Sequence, residues 1–139
     1  MGKRFTKRYQ SFCDCLDNLS EAKERDPSDS FVLSGTVQKF NLTFDISWKL
    51  MKDICINQYK ILDFATGSPR DTLRVAKTVN LISDDLWMDM LEERNQLAHD
   101  YDGSMAEEAY VLITEKYLPL FYDLKLVVSD LITKVESTG

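Results

Sequence analysis

Turn-forming residues are scarce in this chain, with five glycines and three prolines among 139 residues. That shortage disfavours a β fold built on tight turns and favours long helices. Histidine occurs once, as His99, and cysteine three times, as Cys13, Cys15 and Cys55. With one histidine and no CxxC pair, no zinc ligand set can be assembled, and no metal or other cofactor is expected. An odd cysteine count without a framework suits a reducing compartment, so a cytoplasmic location is expected. No run of ~18 apolar residues occurs, which excludes a spanning helix and gives no reason to expect a membrane partner. The opening Met1-Gly2-Lys3-Arg4-Phe5-Thr6 lacks an apolar core of signal-peptide length, and its formal likeness to a myristoylation signal is read as coincidence. Positive charge is also in deficit: 17 Lys and Arg against 23 Asp and Glu give a net charge of -6. Such a chain repels nucleic acid in bulk, so contact with RNA would need a local basic patch, whereas a basic protein surface would be attracted.

What is present is enough apolar material for a core: 44% of the residues are hydrophobic. The length suits one domain over residues 1–139, frayed at about 1–3 and 135–139. A first helix is expected from about Lys3 to Lys23, with Phe5, Tyr9, Phe12, Leu16 and Leu19 on one stripe and Lys3, Arg4, Lys7 and Arg8 beside it. Asp26-Pro27-Ser28-Asp29 interrupts the chain. The spacing of Leu33, Val37, Phe40, Phe44, Trp48, Met51, Cys55 and Leu62 then predicts a long helix from about Phe31 to Asp63.

Ser68-Pro69-Arg70-Asp71 is a helix start, with serine as cap and proline at the first helical position, so a short helix should run to about Thr78. Ser83-Asp84-Asp85 should cap a fourth helix carrying Leu86, Trp87, Met90, Leu91, Arg94 and Leu97 on one side. After Asp102-Gly103, Ser104 is expected to cap the last helix, and Pro119 to kink it. The expected fold is all-α: an up-down antiparallel four-helix bundle with a short extra helix.

Chemistry concentrates in Arg94-Asn95-Gln96-Leu97-Ala98-His99-Asp100-Tyr101. Histidine moves protons near neutral pH, and arginine offers a rigid fork of donors to a phosphate. Together they suit phosphodiester cleavage without a metal. On an uninterrupted helix, however, His99 sits about 140° from Arg94 at ~100° per residue. The two converge if the helix ends near Ala98 or if they meet across a two-fold dimer, which would also supply a second histidine. The competing explanation is structural, since Arg and His both favour the negative end of a helix. Tyr101 alone reads as a rim aromatic with its hydroxyl in water. Arg70, Arg74 and Lys77 share a short helix and are more often a solvated face than an RNA patch.

Gly35-Thr36-Val37-Gln38-Lys39-Phe40, Phe44-Asp45-Ile46-Ser47-Trp48-Lys49, Ser68-Pro69-Arg70-Asp71 and Asp85-Leu86-Trp87 up to Arg94-Asn95 resemble the nucleotidyltransferase substrate-binding proteins of the HEPN superfamily. The resemblance covers roughly residues 31–121, and the superfamily motif, Arg then His after four to six residues, reads here as Arg94-x4-His99-x-Tyr101. It implies an HEPN-like bundle, bacterial or archaeal, forming a homodimer whose motifs share a cleft, and a minimal nucleotidyltransferase encoded by the adjacent gene as partner. It further implies a ribonuclease toxin, with RNA as substrate, neutralised when the partner adds AMP to the tyrosine. On that basis Arg94 and His99 would be catalytic, Asn95 and Asp100 supporting, and Tyr101 the modified residue. Arg70 and Arg74 would contact RNA or nucleotide. Asp100 departs from the small or hydroxylated residue expected after the histidine and adds negative charge beside a phosphate site. The alternative is a non-catalytic subunit that binds substrate or nucleotide for the nucleotidyltransferase.

Overall fold

The computed structural model describes residues 5–61, 67–99 and 101–138, and among these there is no strand. Six α-helices follow in order: α1 (Thr6–Ser20), α2 (Ser30–Asn57), α3 (Pro69–Thr78), α4 (Leu86–His99), α5 (Ala106–Leu112) and α6 (Leu118–Thr138). A 3-10 turn, Glu21–Glu24, extends α1, and a π-helical turn, Ile113–Tyr117, joins α5 to α6 without a break. Counting α5, the π turn and α6 as one rod gives four long helical units plus the short α3, which is the expected all-α bundle.

Cross-links fix the directions. Arg8 meets Asp53, and Thr43 Oγ1 donates to the carbonyl of Cys15, so α1 and α2 run antiparallel. Tyr9 donates to the Lys125 carbonyl and Tyr110 to the Ala22 carbonyl, which sets the α5–α6 rod antiparallel to α1. Arg94 meets Asp45 and Tyr101 meets Ser34, so α4 descends α2.

The core is aromatic at its centre. Phe121 packs edge-on to Phe12 and Trp87 at centroid distances of 6.1 and 5.7 Å, and Phe40 stacks on Tyr117 at 5.6 Å. Five hydroxyl residues are also buried, Thr36, Thr43, Ser47, Thr72 and Thr114. Each returns its hydroxyl to a carbonyl on its own helix or at its cap, as Thr36 does to Val32 at 2.7 Å, so none is left unsatisfied.

Several boundaries differ from the sequence expectation. Helix α2 stops at Asn57, not near Asp63, because Lys60 turns left-handed (φ 59°) and Ile61 N–H closes onto the Cys55 carbonyl; Leu62 lies outside the described residues. Ser68 does cap α3, accepting from Asp71 N–H at 3.3 Å, and Asn80 (φ 65°) ends that helix with Leu81 N–H donating to the Ala76 carbonyl. Asp84 caps α4 by accepting from Leu86 N–H at 2.9 Å. The cap after the motif is Asp102, not Ser104: its carboxylate accepts from Ser104 N–H at 2.8 Å and opens a short 3-10 turn, after which α5 starts at Ala106. The Ser104 hydroxyl, which also donates to this carboxylate, and then the Ser104 N–H hold the exposed Asp102 carboxyl below the usual aspartate range.

Pro119 acts through the π turn. A proline cannot donate one turn back, and its ring crowds the carbonyl four residues earlier. Leu118 N–H instead donates five residues back, to Ile113, and the wider turn accommodates the ring. The basic cluster expected on α1 is partly committed to structure, since Arg8 is half-buried against Asp53 at 2.5 Å while Lys7 is exposed; Lys3 and Arg4 lie outside the described residues.

Candidate functional site

Contacts across the seam between α2 and α4 involve most of the motif. Arg94 is half-buried, and both of its terminal nitrogens are engaged: Nη2 donates to Asp45 Oδ1 at 2.5 Å and Nη1 to Asn95 Oδ1 at 2.9 Å. Its Nε is buried without a partner. Asp45 is supplied by α2, where it follows Phe44, a fully buried core residue whose packing sets the azimuth of its neighbour.

Helix α4 ends at His99, one residue past Ala98 and so near the end point that one of the two routes to convergence required, with His99 itself still in the helix. His99 is the exposed last residue of the helix. Within one chain the backbone therefore directs Arg94 and His99 to different sides. Asn95 narrows the difference. It draws the guanidinium toward itself, and it lies four residues before His99, on the same face and one turn below it.

Tyr101 follows the helix with its ring 37% exposed and its hydroxyl 3.4 Å from Ser34 Oγ, so it is not simply in water. Asp100 lies outside the described residues. Glu93, next to Arg94, has its carboxyl pushed up by burial and then by the nearby Glu108. Tyr117 beneath it is pushed up to about 12, by burial first and then by Glu93 and Asp89.

Arg70 and Arg74 lie elsewhere. Arg70 is half-buried with Nη1 3.9 Å from Met88 Sδ, while Arg74 is exposed and 3.6 Å from Asp71. Lys77 pairs with Asp85. Arg74 borders a cleft of about 450 Å³ between α3 and the start of α4, floored by Leu73, Ile82, Trp87 and Met88. Met88 is eleven residues before His99 on α4, about 16 Å at ~1.5 Å per residue. The structure thus ties Arg94 and Tyr101 to α2, joins Asn95 to Arg94, leaves His99 exposed at the end of α4, and sets Arg70 against Met88 and Arg74 at the α3–α4 cleft.

Asp45 and Ser34 are the polar partners that sequence reasoning missed. Their signal was available: Phe31, Ser34, Gln38, Leu42 and Asp45 recur at steps of three and four, a second stripe of α2 beside its core stripe. On that stripe Phe31 is 87% and Leu42 61% exposed, so the face of α2 beside the motif carries large apolar side chains in water.

Among the described residues no helix is long and apolar enough to cross a membrane, and no three His, Cys, Asp or Glu side chains cluster as a metal ligand set would. Residues 6–129 match a protein family described as nucleotidyltransferase substrate binding protein like. No match was found among curated proteins.

Proposed function

Because the chain belongs to the nucleotidyltransferase substrate binding protein like family, we propose that it is the helical partner of a minimal nucleotidyltransferase and acts as a homodimeric, metal-independent ribonuclease toxin neutralised by AMP addition to Tyr101. The observation that carries this reading is the α2–α4 seam, where the Arg94 fork lies beside Asn95, one turn below an exposed His99, and the Tyr101 hydroxyl meets Ser34.

Cleavage would proceed by internal displacement. One His99 takes the proton of a ribose 2′-hydroxyl, the 2′-oxygen bonds to the adjacent phosphorus, and the P–O5′ bond breaks. The departing 5′-oxygen receives a proton from His99 of the second protomer, leaving a 2′,3′-cyclic phosphate and a 5′-hydroxyl. The remaining N–H groups of Arg94 stabilise the added charge on phosphorus in the transition state. The exposed Phe31 and Leu42, on the face of α2 that carries Ser34 and Asp45, support a two-fold interface there. Neutralisation needs ATP and the partner enzyme: the Tyr101 oxygen attacks the α-phosphorus, pyrophosphate leaves, and the phenolic proton is lost. The bound nucleotide then sets a bulky anion against Arg94 and obstructs RNA.

Expression of the chain alone should slow growth, and His99→Ala should relieve it. Intact-mass measurement after co-expression with the neighbouring nucleotidyltransferase should show AMP on the wild type and none on Tyr101→Phe. Equal growth with both versions would count against the nuclease, and an unmodified tyrosine against this mode of neutralisation.

One observation favours a second reading, a non-catalytic subunit that binds substrate or nucleotide for its partner. The cleft between α3 and α4 is within the size range of small-molecule sites and has an apolar floor, with Arg74, Asp84 and the paired Lys77 and Asp85 also lining it. Binding of nucleotide that is abolished by Arg74→Glu and unaffected by His99→Ala would support it.

A further inference from the structure

Arg94 is gripped in an unusual way. A second arginine–carboxylate pair reaches the same helix: Arg8 of α1 meets Asp53 of α2 at the same 2.5 Å, with the two carboxylates similarly exposed and Arg8 more exposed than Arg94. Arg8 uses Nε for that contact, leaving both terminal nitrogens clear of it. Arg94 does the reverse. Both terminal nitrogens are tethered, one to α2 through Asp45 and one to its own helix through Asn95, while Nε is buried with no acceptor. A buried donor without a partner is unfavourable. A pair serving only to join two helices would relieve it by turning Nε to the carboxylate, as Arg8 does. Keeping the less favourable arrangement fixes the plane of the guanidinium. It also leaves one N–H on each terminal nitrogen for another anion.

Resting on the reading of Arg94 as the phosphate-contacting arginine, we propose that Asp45 is a positioning residue, whose carboxylate fixes the Arg94 fork in its reactive orientation at the expense of substrate affinity. The trade follows from charge. A carboxylate beside the guanidinium cancels much of its attraction for a phosphodiester, which weakens binding of the ground state. The same contact removes the rotational freedom of the fork, and a fixed donor geometry lowers the barrier to the chemical step.

Asp45→Asn keeps the shape and an acceptor oxygen but removes the charge. In steady-state cleavage of a single-stranded oligoribonucleotide it should lower kcat by about tenfold while KM falls about threefold. Asp45→Glu, which returns the charge one methylene away, should restore KM and leave kcat low. Asp53→Asn is the matched control: it loses a comparable ion pair on the same helix and should leave kcat and KM within about twofold. A kcat for Asp45→Asn equal to that of Asp53→Asn, or a fall in kcat with KM unchanged or raised, overturns the proposal.

NMR of the arginine side chains makes the test independent of cleavage. The Arg94 Nε–Hε order parameter should drop in Asp45→Asn and stay unchanged in Asp53→Asn; an equally ordered Arg94 in both overturns the positioning role. If wild type and His99→Ala both leave RNA intact, the nuclease reading fails, and the order parameter still decides whether Asp45 fixes Arg94.

Discussion

The Tyr101 hydroxyl and Ser34 Oγ lie 3.4 Å apart at the α2–α4 seam, eleven residues along α2 from the carboxylate that holds Arg94. The two contacts differ in kind. One engages a charged, half-buried fork; the other joins two neutral hydroxyls at an exposed edge, at the long end of hydrogen-bond range. Ser34→Ala should therefore change stability by less than ~0.5 kcal/mol in urea denaturation. It should also leave the extent of Tyr101 modification, read by intact mass, unchanged.

Phe121 touches the rings of Phe12, Phe40 and Trp87 and so joins α6 to α1, α2 and α4 at once. Truncating it removes contacts from three helices and opens a cavity at their junction. Phe121→Ala should cost about 3–5 kcal/mol, read as a lowered denaturation midpoint with an unchanged slope.

The carboxyl of Glu93 is raised by burial and by Glu108. The folded protein therefore holds this proton more tightly than the unfolded chain does. Stability falls as pH rises from the ordinary glutamate value through the raised one. Glu93→Gln should melt at a higher temperature than wild type at pH 7, and the difference should vanish at pH 3, where both side chains are neutral. A constant difference across that range would show that burial of the charge is not the cause.

Lys60 holds a left-handed backbone, φ 59°, at the end of α2. A side chain with a Cβ is strained there, and glycine is not. Lys60→Gly should raise stability by roughly 0.5 kcal/mol, checked by the shift in denaturation midpoint.

The architecture was legible where local chemistry and periodicity agree. Ser68-Pro69 announced α3 through its cap, and the stripe from Leu33 to Cys55 announced the buried face of α2. The end of α2 was not legible, because the residue that turns the chain is a lysine and the apolar spacing runs on to Leu62. The cap after the motif was misassigned between two residues of similar capping ability, Asp102 and Ser104. At the site, Arg94, Asn95 and Tyr101 were visible as a motif. Their partners Ser34 and Asp45 were not, because they lie 67 and 49 residues away in the chain and only the antiparallel pairing of α2 with α4 brings them close.

The rod from Ala106 to Thr138 does not keep one constant period. Leu112 is half-buried and Val127 is 37% exposed, whereas Ile113, Tyr117 and Phe121 are buried. Ala109, Ile113, Tyr117 and Phe121 recur every four residues, and in a uniform α-helix each such step drifts by about 40°. The π turn absorbs that drift, acting as a phase corrector between two halves that would otherwise face different ways. The stretch is therefore sensitive to count more than to identity. Removing one residue between 113 and 117 would restore regular winding and rotate the distal half, Phe121 included, away from its neighbours, whereas a like-for-like exchange in the same stretch would leave the alignment intact.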